Sequence, residues 1–445
     1  MDEPVSRRRF VAASTAVGLG VALGAQTAVA ADKPALLGGQ RTRSQPFPTW
    51  PVSGPHEDKV MLSTLQSGKW FRGYGQQVDK FEAAYCRLTG AKHCIATNGG
   101  TTALIAALGA LDVGPGDEVI VTPYTFIASI TSIMMHFALP VFVDVDPQTF
   151  QIDPAKIEAA ITDRTVAILP VHIGGNVVNL DAILAVAKKH NLPVIEDACQ
   201  AHLGEWRGRK VGTWGTAGCF SFQVTKNLPS GEGGAVLTND RNLAERIHAV
   251  HSNCRTRTVS SFNFTYMPIR AANFRMTEFQ GALLSAQMTR LEKNARTRDD
   301  NAQYLTSLLS QLPGVVPCKM YEGCTRNAWH LYMLRYKAEE FGQLPRAKFL
   351  QALNAEGIPS GGGYTPVPWE SFLKQSFGTR GGRRVFSEKV LNEWPERCRV
   401  PEHEKLCDEA VWFTQNMLLG THGDMDQIAE AIRKIRAHAA ALAKA

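Results

Sequence analysis

From about residue 75 to residue 240 the chain alternates helix-patterned and strand-patterned segments, and this constrains the fold more than any other feature. Val78, Phe81, Tyr85 and Leu88 recur at helical spacing, and Gly90 follows as a stop signal. His93 to Thr97 reads as a short strand and Thr101 to Leu111 as a helix. The turn Gly114-Pro115-Gly116-Asp117 leads into a strand from Glu118 to Thr122. A helix from Ile127 to Ala138 and a strand from Pro140 to Val145 come next. Asp153 and Pro154 then suit the cap and first residue of another helix. A strand from Thr165 to Val171, a helix from Asp181 and a strand from Leu192 to Ile195 continue the pattern, and Ala217 to Val224 is again strand-like. Repeated βα units predict an α/β fold with a mostly parallel sheet sandwiched by helices. A long helical stretch from Thr277 to Leu312 leads to a smaller C-terminal α+β region. Its markers are a strand from His330 to Tyr336, a helix from Pro345 to Glu356 and a closing helix from about Asp424.

The first thirty residues differ from the rest. Ser6-Arg7-Arg8-Arg9-Phe10-Val11 precedes a weakly apolar run from Ala12 to Ala30, and Ala28-Val29-Ala30 suits a signal peptidase. The expected organisation is a twin-arginine export signal over residues 1–30, an extended arm over 31–60, a large domain over 61–295 and a small domain over 296–445. The twin-arginine translocase would then carry the folded protein out of the cytoplasm, with activity before export also open. The 445 residues are 44% hydrophobic and 20% charged, the composition of a soluble globular protein. The net charge of +7 is spread without a long basic block, so it suits anionic small molecules and gives no argument for nucleic acid. Nine cysteines without a Cys-x-x-Cys read as mostly free thiols, and no metal site is expected.

In a sheet of this kind ligands gather where strands end and helices begin, and four such places carry chemistry. Gly99-Gly100-Thr101-Thr102 is a glycine turn opening a helix, suited to a phosphate or to ordinary capping. Phe126 follows the strand ending at Thr122, where an aromatic ring either stacks on a planar ligand or joins the core. Glu196-Asp197-Ala198-Cys199-Gln200 follows a buried strand, and Asp197 there is either a helix cap or an acid able to hold a pyridinium N–H. The run Phe220-Ser221-Phe222-Gln223-Val224-Thr225-Lys226 ends on a glycine-rich turn. It offers Ser221 as a hydroxyl for phosphate and Lys226 as an amine that forms a Schiff base once desolvation lowers its pKa.

These residues would serve the phosphate, ring face, ring nitrogen and aldehyde of pyridoxal phosphate. Together with Gly-Pro-Gly-Asp-Glu-Val (114–119), Pro-Val-Phe-Val-Asp-Val-Asp (140–146), Pro-Val-His-Ile-Gly-Gly (170–175), Glu-Asp-Ala-Cys-Gln-Ala-His (196–202) and Asn-Phe-Arg-Met-Thr-Glu (273–278), they make the chain resemble the DegT/DnrJ-type sugar aminotransferases, of the aspartate aminotransferase fold, over nearly all of residues 70–440. The resemblance implies pyridoxal 5'-phosphate as cofactor, Lys226 as its covalent anchor and proton carrier, and Asp197 at the pyridine nitrogen. It implies Gln200 near the ring hydroxyl, Phe126 over the ring face, and Thr101, Thr102 and Ser221 on the phosphate. Asn273 would reach the phosphate of a neighbouring subunit, which implies a homodimer with a shared site. His172, Arg275 and Tyr364 are candidates for the substrate side, with His172 equally readable as a hydrogen-bonded core residue.

Some relatives carry histidine at the lysine position and act as dehydratases, so Lys226 implies amino transfer. The donor would be L-glutamate or L-glutamine and the acceptor a keto sugar, nucleotide-linked in the usual case. Two departures bear on the acceptor. Ala271-Ala272 replaces the family's usual Gly-Tyr before Asn273. The C-terminal runs Cys398-Arg399-Val400-Pro401, Ala410 to Phe413 and Leu418-Leu419-Gly420 are closer to the branch that aminates cyclitol ketones such as scyllo-inosose. Such a ketone is the alternative acceptor, and a sensory protein that binds pyridoxal phosphate without turnover is the alternative function.

Overall fold

A computed structural model describes residues 33–256, 265–367 and 369–445. The proposed export signal lies outside these residues.

The segment expected to be extended as far as residue 60 carries a single 3-10 turn at Ala35–Leu37 and ends at Gly54. Pro55 then supplies the first position of helix α1 (Pro55–Gln66). Helix α2 (Gln77–Thr89) buries Val78, Phe81 and Tyr85 and stops where Gly90 turns left-handed, at φ 81°. The chain continues as β1 (His93–Thr97), α3 (Gly100–Ala110), β2 (Glu118–Val121), α4 (Ala128–Met134) and β3 (Leu139–Phe142). Next come α5 (Pro154–Ile157), β4 (Thr165–Leu169), α6 (Leu180–Lys189) and β5 (Ile195–Asp197). Asp153 caps α5 by accepting from Ala155 N, as its position before Pro154 predicts. A short hairpin, β6 (Glu205–Trp206) and β7 (Arg209–Lys210), precedes β8 (Ala217–Ser221), β9 (Gly234–Thr238) and α7 (Arg241–His251).

Parallel pairing joins β3-β2-β4, and parallel bridges Ile168–Val194 and Val171–Asp197 bring β4 beside β5. The sheet continues through β8 and β9 to β1. It is mostly parallel as expected, but β9 runs antiparallel to both β8 and β1. That reversal has a local cause. The segment carrying Lys226 is a loop that returns directly into the neighbouring strand, so no helical crossover intervenes.

Helix α8 (Glu278–Leu309) opens on a reciprocal cap between Thr277 and Gln280 and runs the length of both hydrophobic cores. The second core lies on the antiparallel sheet formed by β10 (Val315–Pro317), β12 (Leu331–Tyr336) and β13 (Ala410–Thr414). The strand β11 (Cys324–Arg326) instead joins the β6–β7 hairpin. Helix α9 (Arg346–Ala355) and helix α14 (His422–Ala437) cover the second core, the latter beginning two residues before Asp424 and followed by a last short helix, Ala439–Lys444.

Between α9 and β13 lie α10 (Trp369–Phe377), α11 (Gly382–Val385), α12 (Glu388–Arg397) and α13 (Pro401–Glu409). Their apolar side chains join the large-domain core, although sequence position assigns them to the small domain. Trp369 and Trp394 both meet Phe142 edge-on at 5.1 Å. The arm crosses the other way. Glu356, at the end of α9, accepts from Ala35 N, Thr42 N and Thr42 Oγ1 and pairs with buried Lys434 at 3.0 Å. Further along the arm, Trp50 Nε1 donates to Val224 O at 3.0 Å, two residues before Lys226.

Candidate active site

Strand β8 ends at Ser221, three residues short of the expected run, so Lys226 stands on the loop between β8 and β9. That loop closes on itself: Phe222 N donates to Gly233 O, Ser230 N to Phe222 O, and Lys226 N to Gln223 O, all within 2.7–2.8 Å. Asn227 fastens it to the segment before β12 through Ala328 O at 2.6 Å and accepts from His330 Nδ1 at 3.4 Å. Lys226 is half-buried, and among the described residues its ammonium has no hydrogen-bond or ion-pair partner. Burial lowers its pKa, and the nearby Cys199 and Asp197 only partly restore it. The position favours a neutral, nucleophilic amine.

Asp197 is the last residue of β5, and no helix follows it, so the cap reading fails. The strand is pinned on both sides: Asp197 N donates to Pro170 O and His172 N to Asp197 O. The preceding carboxylate, Glu196, accepts from Gly212 N, Trp214 N and Gly215 N at 2.7–2.8 Å and from His172 Nε2 at 3.1 Å. His172 also accepts from Val178 N at its other ring nitrogen and is fully buried. The expected substrate role of His172 therefore gives way to a structural one, because neither nitrogen is free to meet a ligand.

A phosphate cradle lies beside this acid. Helix α3 starts without a side-chain cap, leaving first-turn N–H groups for an anion. A Cβ on Gly100 would sit 2.6 Å from Ser221 Cβ and 3.1 Å from Cys199 Sγ, so only glycine lets strand end and helix start meet this closely. Thr101 is exposed, while Thr102 Oγ1 donates to Gly99 O at 2.8 Å. His202, missed in the sequence, fixes the far side of Ser221. Its Nε2 lies 2.8 Å from Ser221 O and its Nδ1 3.1 Å from Tyr85 OH, and burial pulls its pKa to about 4. A neutral imidazole serves there because the hydroxyl donates to one nitrogen and the other donates to the carbonyl.

Gln200 Oε1 accepts from Gly174 N at 2.8 Å, and Gln200 Nε2 donates to Tyr364 OH at 3.1 Å. Tyr364 thus stands at the acid's side of the site; burial raises its pKa, as does the charge of Asp197. Phe126 is 58% exposed rather than part of the core, leaving its ring free to cover a ligand. The segment of Asn273 and Arg275 runs beside the end of β1, where Asn98 N donates to Phe274 O at 2.7 Å. Asn273 is exposed and accepts from Arg275 N at 3.3 Å. Arg275 pairs by its backbone with Thr97 and reaches Ser252 Oγ at 3.4 Å. Burial lowers its pKa, helped by Arg255 and Arg72.

An unpaired amine, a buried acid, an uncapped helix start with a hydroxyl beside it and an open aromatic ring converge at the strand ends of a mixed α/β sheet. The layout is that of a lysine-centred transferase with a phosphorylated aromatic cofactor. Family comparison agrees: the model of the DegT/DnrJ/EryC1/StrS aminotransferase family matches residues 53–413, and the chain belongs to that family. It is an aminotransferase by this membership. The L-glutamine:2-deoxy-scyllo-inosose aminotransferase of Streptomyces paromomycinus is 35% identical over 420 residues, 92% of this chain and 98% of that protein. The spore coat polysaccharide biosynthesis protein SpsC of Bacillus subtilis is 34% identical over 392 residues, covering 86% and 95%. Among solved structures, 3-amino-5-hydroxybenzoic acid (AHBA) synthase superposes with a TM-score of 0.76 at 30% identity, over 91% of this chain and all of that one.

Proposed function

We propose that the chain uses pyridoxal phosphate to move an amino group from L-glutamine or L-glutamate to a ketone on a polyhydroxylated ring. The observation that carries this reading is Lys226, half-buried, without a partner among the described residues and held beside Asp197 and the α3 cradle. The residues fit the cofactor part by part. The first turn of α3 offers N–H donors to the phosphate and Thr101 and Ser221 offer hydroxyls, whereas the expected Thr102 hydroxyl is committed to Gly99 O. Phe126 would cover one ring face, Asp197 would face the ring nitrogen, and Gln200 with Tyr364 would lie along the ring edge. When bound, pyridoxal phosphate supplies an electron sink for the pair left when a carbon beside the transferred nitrogen loses its proton. Lys226 Nζ, with its lowered pKa, takes that proton and returns it. The loop bonds through Asn227 hold the amine in place while it does so.

Similarity to the L-glutamine:2-deoxy-scyllo-inosose aminotransferase over nearly the whole chain favours a cyclitol ketone over a nucleotide-linked keto sugar as acceptor. Export by the proposed twin-arginine signal would fit the same choice, since nucleotide sugars are cytoplasmic. We also propose a homodimer with a shared site. Asn273 is exposed beside an aromatic patch: Trp70, Phe71 and Tyr74 are exposed, and Arg275 packs over Phe71 at 5.5 Å.

The test is a screen of the purified mature protein with both donors against scyllo-inosose and nucleotide-linked keto sugars, read by product mass. A yellow protein whose absorbance shifts with L-glutamine or L-glutamate supports turnover. Colour without a shift for any donor would return the chain to the sensory reading. Cell fractionation checks export, and a protein found only in the cytoplasm overturns it.

A further inference from the structure

Behind Asp197 stands a pair of hydroxyls that no role above uses. Ser129 lies in the first turn of α4, three residues beyond Phe126, and its Oγ is 2.7 Å from Asp197 Oδ2. Thr125 Oγ1 is 2.8 Å from Ser129 Oγ. An ionised carboxylate can only accept, so Ser129 donates to Asp197 and Thr125 donates in turn to Ser129. Asp197 Oδ1 accepts from Cys199 N at 3.1 Å. The Cys199 thiol also hydrogen-bonds the carboxylate, so these partners among the described residues are neutral donors, and all three side chains of the chain Thr125–Ser129–Asp197 are buried. Ser129 does not cap its own helix, since α4 has no side-chain cap. Its hydroxyl is committed to the acid instead.

We propose that Ser129, supported by Thr125, is a positioning residue that holds Asp197 as an anion and so keeps the proton on the cofactor's ring nitrogen. The proposal rests on the reading of Asp197 as the ring nitrogen's partner. The physical reason is a competition, because the ring nitrogen and the carboxylate are two bases sharing one proton. A short hydrogen bond to the carboxylate stabilises its charged form and leaves the neutral acid unaided, which shifts the shared proton toward nitrogen. The outer hydroxyl polarises the inner one and strengthens that bond. Geometry adds to this. With Asp197's backbone fixed in β5, the Ser129 bond and the Cys199 N–H set the carboxylate's rotation, so the remaining lone pairs point to one place. The stretch Thr125 to Ser129 therefore serves the ring twice, at its face through Phe126 and at its nitrogen through Asp197.

The test uses the full mature protein loaded with pyridoxal phosphate carrying an isotopic label at the ring nitrogen. Ser129→Ala is expected to move the ring-nitrogen NMR signal toward that of neutral pyridine. It should lower kcat about tenfold while leaving KM for donor and acceptor within about twofold, the size of losing one charge-assisted hydrogen bond. Ser129→Thr, which keeps a hydroxyl, should restore the signal, and Thr125→Val should move it in the same direction as Ser129→Ala by less. A Ser129→Ala protein that folds, loads and keeps the wild-type signal and kcat overturns the proposal. If Ser129→Ala does not fold, Thr125→Val decides, and an unchanged signal there overturns it equally. Failure of the wild type to bind the cofactor or react with a donor would instead overturn the functional reading, so the two failures separate.

Discussion

At the scale of single residues, Lys226 and Gly100 set the chemistry, one by what it carries and the other by what it lacks. Burial holds the Lys226 pKa below its ordinary 10.5, and the neutral amine is the nucleophile. Capture of pyridoxal phosphate by the apoprotein should therefore quicken with rising pH and level off below pH 10.5, as stopped-flow absorbance would show. Lys226→Ala should lose the covalent chromophore and about 10²–10⁴-fold in turnover, the range for removing a general acid or base. Gly100→Ala would force a methyl against Ser221 and Cys199. It should cost about 1–3 kcal/mol by overpacking and weaken cofactor binding, measured by thermal unfolding and equilibrium dialysis. The importance of Lys226 is readable once the other strand-end motifs are read with it, since a lysine before a glycine turn is common by itself, whereas that of Gly100 comes from a strand more than a hundred residues away. His172 shows the opposite case. Its residue type invites a catalytic role, and only the Glu196 carboxylate and the Val178 N–H reveal that both nitrogens are spent.

Among the elements, Glu118 at the start of β2 is a fastening point. Its buried carboxylate accepts from Thr162 Oγ1 at 2.7 Å, from Arg164 Nη2 at 2.6 Å and from both terminal nitrogens of Arg397 at 2.8 Å, tying α12 to the sheet. Burial pushes its pKa up, but hydrogen bonds from Arg397, Thr162 and Arg164 more than reverse this and bring it to about 2, against an ordinary 4.5. A lowered folded-state pKa stabilises where the carboxylate is charged in both states. The contribution is therefore complete above about pH 4.5 and fades as pH falls toward 2. Glu118→Gln should flatten that part of the stability–pH curve and cost about 1–3 kcal/mol at neutral pH, read from urea unfolding. Elements with local punctuation are legible in the sequence: α2 stops at Gly90, α5 starts at Asp153-Pro154, and Thr277 caps α8. Helix α4 is shorter than its apolar pattern suggests because Phe137 adopts a left-handed φ of 56° and turns the chain into β3. Strand β9 escapes the pattern altogether, since five residues after a glycine-rich loop carry too little periodicity to declare a strand.

For the whole molecule, the proposed shared site makes a complementation test decisive. Lys226→Ala and Asn273→Ala should each be poorly active alone. Co-expressed, they should form mixed dimers in which one site draws both intact residues, regaining up to about a quarter of wild-type activity if subunits pair at random. No recovery, with a dimer confirmed by sedimentation, would argue that each site is complete within one chain. The sequence by itself determined the alternation that builds the sheet, the identity of the lysine and the acid, and the family those residues announce. These are properties of neighbours along the chain, where spacing and turn chemistry act directly. Tertiary structure decided the rest: α10–α13 pack on the large-domain core, the arm ties Glu356 to the Lys226 loop, and Ser129 stands behind Asp197. Those contacts join residues tens to hundreds of positions apart, fixed by strand order and register, which no local pattern encodes. Lys226 is thus recognisable as a residue in a sequence, but its reactivity belongs to the fold that buries it.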